Sequence, residues 1–92
     1  MIRLIIRPEA EEDIAAAYKE HLDLGHGAQF MARVNDSIDK IVAGPLRYAI
    51  LYEPVRRVLV RRYPYGLFYL VNATTIVVLA LRHQRQDPVD HN

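Results

Sequence analysis

The chain has 92 residues, with 12 Lys and Arg against 11 Asp and Glu and a formal charge of +1. That length fits a single domain, residues 1–92, with one modest core that buries about 60–65% of the unfolded surface. With 51% hydrophobic and 25% charged residues, the composition excludes a disordered polymer. No cysteine is present, which excludes disulfides, thiol catalysis and cysteine-based zinc sites. No apolar run approaches the ~20 residues of a membrane span, and the first residues lack the apolar segment and cleavage site of a signal peptide. The expectation is a cytoplasmic protein with no membrane association.

Ile2 to Ile6 is short, apolar and β-branched and reads as a strand that Pro8 ends. Pro8 suits the first position of a helix, and Glu9, Glu11, Glu12 and Asp13 follow where carboxylates favour the helix dipole. Ala10, Ile14, Ala17, Tyr18 and Leu22 keep helical spacing, so the first helix is predicted from about Pro8 to Asp23, broken by Gly25 and Gly27. Phe30, Val34, Ile38 and Ile41 set a second helix over about Ala28 to Val42, stopped by Gly44-Pro45. The short connection makes the pair an antiparallel hairpin. Residues 46–55 read as irregular. Three strand-like runs follow, Arg57 to Tyr63, Tyr65 to Asn72 and Thr75 to His83, separated by gaps short enough for hairpins. The order β-α-α-β-β-β predicts a two-layer α+β domain, a helical hairpin packed on a mainly antiparallel sheet.

Charge is segregated along the chain. Residues 1–40 hold eight acids and five bases, net −3, and residues 41–92 hold seven arginines and three acids, net +4. The strands also alternate poorly. Tyr65, Leu67, Tyr69 and Val71 oppose Phe68 and Leu70, and Ile76, Val78 and Ala80 oppose Val77, Leu79 and Leu81. Both faces are apolar, whereas two helices cover only one. The second face calls for a partner chain, a homodimer contact, or residues 46–56 folded back over it.

Arg61 and Arg62 are expected to close the second strand, and Arg82, His83 and Arg85 the fourth, near one end of the sheet. Guanidinium groups recognise phosphate or carboxylate with two parallel hydrogen bonds, and His83 can carry a proton. The competing reading is solvation of a sheet edge or pairing with helix carboxylates. Tyr48, Tyr52, Tyr63, Tyr65 and Tyr69 alternate with the arginines; aromatics on strands more often serve a core or interface than stack on nucleobases. His21 and His26 flank the first helix stop, where one can cap its C-terminus. No ligand spacing accompanies them, so neither a metal nor another cofactor is expected. Asp13 and Glu9 are read as solvated first-turn carboxylates without a catalytic role.

Several motifs recur in a recognisable order: Arg7-Pro8-Glu9-Ala10-x-x-Asp13-Ile14, Gly25-x-Gly27-x-x-Phe30, Ile41-x-x-Gly44-Pro45-x-x-Tyr48, Val60-Arg61-Arg62-Tyr63-Pro64-Tyr65, Phe68-Tyr69-x-Val71, and Leu81-Arg82-His83-x-Arg85-x-Asp87-Pro88. Together they resemble the RelE/ParE toxin superfamily of bacterial type II toxin–antitoxin systems, the ParE or plasmid-stabilisation branch in particular. The resemblance implies a small toxin that causes growth arrest and is held inactive by a cognate antitoxin, whose C-terminal segment wraps over it as helix and strand. For the ParE branch it implies a non-enzymatic DNA gyrase inhibitor. For the RelE branch it implies an endoribonuclease acting on ribosome-bound mRNA. In that alternative Arg61, Arg62, His83 and Arg85 are the catalytic candidates. The chain departs from the RelE pattern in having no Lys after Lys40 and no tail Tyr, only His91. Residues expected to bind target or antitoxin are Arg57, Arg61, Arg62, Tyr63, Tyr65, Arg82, His83 and Arg85.

Overall fold

The computed structural model describes residues 2–85; Asp87, Pro88 and His91 of the sequence motifs lie outside them. The chain runs β1 (Arg3–Ile6), α1 (Pro8–Asp23), α2 (Gly27–Ala43), β2 (Ile50–Tyr52), β3 (Val55–Leu59), β4 (Tyr65–Asn72) and β5 (Thr75–His83). The strands form one sheet in the order β1-β5-β4-β3-β2, antiparallel except for the β1–β5 pair. The two-layer α+β architecture is the expected one.

Helix α1 starts with Pro8, and Glu9 and Glu11 lie in its first turn. It ends where Gly25 takes φ 83°, which leaves His26 N–H to bond His21 O at 2.7 Å. Its buried residues are Ala10 and Ala17, and such small side chains let the helix lie close on β5. Helix α2 buries Phe30, Val34, Ser37 and Ile41. Ser37 thus takes the deep position expected of Ile38. Both spacings fit an α-helix, and the Ser37 hydroxyl satisfies itself by donating to Arg33 O at 3.0 Å. Ile38 turns to the side of the helix that faces α1.

Three expectations about the strands need correction. First, residues 46–55 are not wholly irregular: Ile50–Tyr52 forms an edge strand on β3. Second, the Arg57–Tyr63 run is displaced. The strand starts at Val55 and ends at Leu59, and Val60 to Tyr65 closes a tight turn through Tyr63 N–H to Val60 O and Val60 N–H to Tyr65 O. Arg61 and Arg62 therefore sit in the turn and do not close a strand. Arg62 adopts φ 71°, a backbone state that costs a non-glycine residue of order 1 kcal/mol. Third, a bulge breaks the alternation of β5. Phe68 pairs with Ala80 but Tyr69 pairs with Val78, so Leu79 is the extra residue. Ile76, Val78 and Leu81 consequently join the helix-side core, while Val77, Leu79 and Ala80 face the other way.

The main core lies between helices and sheet and includes Phe30, Val34, Ile41, Val58, Leu67, Tyr69, Ile76 and Val78. Residues 46–56 divide between the two faces, with Tyr52 and Val55 packed on the face opposite the helices. Pro45 and Tyr48 pack on the helix side, where Pro45 O accepts the Tyr69 hydroxyl at 2.7 Å and Tyr48 O accepts Arg56 Nη1 at 2.7 Å. The second face carries a smaller cluster of Val55, Phe68, Leu79 and Ala80, shielded by Tyr52, Leu70 and Val77.

Burial of the Tyr69 phenol raises its pKa above the ordinary 10.0, with the nearby Arg56 guanidinium acting in the opposite sense. Burial also raises Tyr65, helped by the Glu20 carboxylate. The unfolded chain sheds these protons first. The folded state therefore keeps its full advantage below the unfolded pKa of about 10 and loses it as pH rises through the folded values. Urea melts at about pH 9 and about pH 11 should show stability falling between them, and Tyr69→Phe should flatten that fall. An unchanged slope in the variant would assign the effect elsewhere.

Candidate functional site: the arginine end of the sheet

Because β4 is antiparallel to both β3 and β5, the end of each neighbour meets its beginning. Leu59 pairs with Gly66, Gly66 with Arg82, and Tyr65 with His83. The turn carrying Arg61 and Arg62 closes the same end, and Arg85 follows directly beyond β5. The eight residues expected to bind a target or antitoxin thus gather at one end of the sheet. They do not, however, converge on one point.

Arg57, Arg82 and His83 border a cavity of ≈200 Å³ on the face away from the helices. Arg61 instead lines a groove beside α2 with Arg33 and Asp36. Arg62 and Arg85 are exposed on the turns. Tyr63 belongs to neither depression, and Tyr65 joins Asp13, Arg82 and His83 around a third, of ≈330 Å³, between α1 and β5. Both tyrosines pack on the helix side with His21 and Phe30, as core aromatics do. His21 stacks on Phe30 with centroids 4.7 Å apart, meets Tyr63 and Tyr65 edge-on, and its Nε2 lies 3.3 Å from the Tyr65 hydroxyl. His83 also meets Tyr65 edge-on. The C-terminus of α1 closes through the main chain at Gly25 rather than through a histidine side chain.

Asp13 is the residue whose role the sequence concealed. Its side chain is 24% exposed, not solvated as the first-turn position suggested. β1 ends at Ile6, level with Val78, so β5 runs on without a strand partner on that edge. Asp13 takes the vacant place. Its Oδ2 accepts the Leu81 N–H at 3.1 Å and its Oδ1 lies 3.6 Å from Arg82 Nη1. Charge-assisted bonds of this kind replace a missing ladder contact. Asp13→Ala should cost about 1–3 kcal/mol, because Leu81 N–H loses its acceptor and Arg82 its carboxylate. Urea denaturation would read this directly, and Asp13→Asn should recover part of the loss by keeping the amide acceptor.

A further feature was hidden in the helical pattern. Ile6, Ile14, Ala15, Tyr18, Met31 and Ile38 line an apolar groove of ≈580 Å³ between α1 and α2. The sequence signal was a second apolar stripe on each helix, which reads as core when the helices are assumed to close on each other. Among the described residues, no group of three or more His, Asp or Glu is placed to hold a metal ion. No described helix is long and apolar enough to cross a membrane.

A family model described as the ParE toxin of the type II toxin–antitoxin system parDE matches residues 4–88. This chain belongs to the ParE toxin family. No curated protein matches it in sequence. Among solved structures, a chain from the chromosomal ParDE TA system of P. aeruginosa superposes with a TM-score of 0.69. The two chains are 18% identical over 90% of this one and 96% of that one. At that identity the likeness speaks for the ParE fold: two helices on a five-stranded mixed sheet.

Proposed function

We propose that this ParE-type toxin arrests growth by inhibiting DNA gyrase, without chemistry of its own, and that a cognate antitoxin neutralises it. The observation that carries the reading is the ParE family match over residues 4–88. The arrangement of the arginines supports a binding role over a ribonuclease. In-line attack by a ribose hydroxyl needs base, acid and phosphate clamps around one phosphorus. Arg61 and His83 border different depressions, and Arg62 and Arg85 are exposed on turns. Dispersed guanidinium groups suit an extended protein or nucleoprotein surface.

The antitoxin is proposed to dock an amphipathic helix in the apolar groove between α1 and α2, with its apolar anchors on Ile14, Tyr18, Met31 and Ile38. The groove's lining is almost entirely apolar, and Glu11 and Asn35 lie at its edge, the pattern a helix with one apolar face complements.

Induction without antitoxin should stop growth, and the purified protein should block gyrase supercoiling. Intact supercoiling combined with cleaved ribosome-bound message would instead establish the ribonuclease reading. In that case Arg61→Ala or His83→Ala should abolish the cuts. Normal growth on induction would remove the toxin activity altogether.

A further inference from the structure

We propose that the cavity on the sheet face away from the helices is a carboxylate-anchoring subsite for the antitoxin. An Asp or Glu side chain of the bound segment sits between the guanidinium groups of Arg57 and Arg82. The inference rests on the toxin–antitoxin reading and adds to it a specific anchor, separate from the groove between the helices.

The geometry begins at Gly66. It lies on β4 between Leu59 of β3 and Arg82 of β5, and it leaves the sheet bare at that point. A Cβ on Gly66 would meet Arg57 Cδ at 2.9 Å and Cγ at 3.1 Å. The stem of Arg57 therefore reaches from β3 across the glycine of β4. The ≈200 Å³ cavity there is bounded by Arg57 and Arg82, with Leu51, Leu59 and Phe68 as apolar walls.

The charge around this cavity is incomplete. Arg57 makes no ion pair among the described residues. Arg82 is held by Asp13 from the helix side, so the three groups together carry +1. Arg57 and Arg82 both border this small, partly apolar cavity, and one carboxylate placed between them balances the set. An Asp or Glu side chain meets both forks with its two oxygens.

The walls decide in favour of a peptide over a nucleic-acid strand. Leu51 and Leu59 are 39% and 54% exposed and ready to take apolar side chains. Beyond the cavity the face continues as the half-buried Leu70 and Val77, with Ile5 beside Val77. Successive phosphates gain little from such apolar walls, whereas a segment alternating acidic and apolar residues is matched.

The test uses the full chain with isotopically labelled arginine, whose side-chain N–H signals are followed by NMR. The probes are acetyl-Leu-Glu-Leu-amide, its Gln analogue and a dinucleoside phosphate. The Glu peptide should shift the Arg57 and Arg82 signals saturably and bind about tenfold more tightly than either other probe. Arg57→Gln should abolish the difference. Gly66→Ala, which keeps both charges but displaces the Arg57 stem, should weaken the Glu peptide about fivefold or more. Equal binding of the Gln analogue, tighter binding of the dinucleoside phosphate, or no shift would each overturn the subsite. The same Arg57→Gln variant is then titrated with the antitoxin encoded by the adjacent reading frame. Affinity reduced about tenfold, with a weaker salt dependence, supports the proposal. Unchanged affinity overturns the proposal and leaves the toxin–antitoxin reading standing. Failure of the antitoxin to bind the wild-type chain overturns both.

Discussion

Phe30→Ala is expected to lower stability by about 3–5 kcal/mol, the usual cost of emptying a fully buried aromatic position. Phe30 is 0% exposed and sits where α2, the C-terminal turn of α1 and the turn after β3 meet. Its ring stacks on His21 and meets Tyr63 and Tyr65 edge-on at 5.4 and 5.6 Å. Few side chains are positioned to refill the space, because His21 and Tyr65 are tied to each other. For a domain of this size, whose whole stability is of order 5–15 kcal/mol, the loss is large. At about 4–8 °C per kcal/mol the melting temperature should fall by roughly 12–40 °C, and a thermal melt by circular dichroism would read it. A fall of only a few degrees would show that the aromatic cluster repacks. The turn carrying Arg61 and Arg62 rests on the same cluster through Tyr63, so the variant should also loosen that turn, seen as faster amide exchange at residues 61–63.

Met31→Glu should leave the toxin folded and toxic while weakening antitoxin binding about 100-fold. Met31 is only half-buried and lines the groove between the helices, so a carboxylate there reaches water in the free protein. A docked helix would bury that charge without a partner, which costs several kcal/mol. Titration of purified toxin with antitoxin measures the affinity, and co-expression measures rescue of growth. Retained affinity would remove the groove from the interface. Glu12→Gln, on the exposed first turns of α1 and outside the groove, provides the matched control and should change nothing.

Much of the fold was legible because its signals are local. The limits of α1 follow from Pro8 and Gly25, and those of β4 and β5 from the turn at Ala73 and Thr74. Gathering the arginines at one end of the sheet was also legible, since two short hairpin connections force β3 and β5 to end where β4 begins. The places where the reading failed have a common cause. Nothing in the run from Thr75 to His83 marks Leu79 as an extra residue. The bulge exists only in the pairing with Phe68 and Tyr69, and it exchanges the faces of Ala80 and Leu81. Helical spacing admits either Ser37 or Ile38 at the deep position of α2, and packing selects the serine. Arg61 and Arg62 continue a β-rich run in composition, yet the chain must already turn there for Val60 and Tyr65 to bond.

Asp13 shows the same division at the candidate site. In sequence it is one of several acids opening an amphipathic helix, where solvation is the ordinary outcome. In the fold it stands beside the edge of β5 that β1 leaves unpaired, and it serves both Leu81 N–H and Arg82. Local signals in the chain carried β1, both helices, β4 and β5, the two-layer class, the segregation of charge and, through the ordered motifs, the family. Periodicity, proline, glycine and hairpin length act over a few residues and leave their mark in the chain. The tertiary structure alone decided which apolar residues share a face, which arginines share a cavity and which carboxylate holds one of them. Those outcomes depend on strand register and helix placement, contacts between residues as far apart as Asp13 and Leu81 that no local pattern encodes.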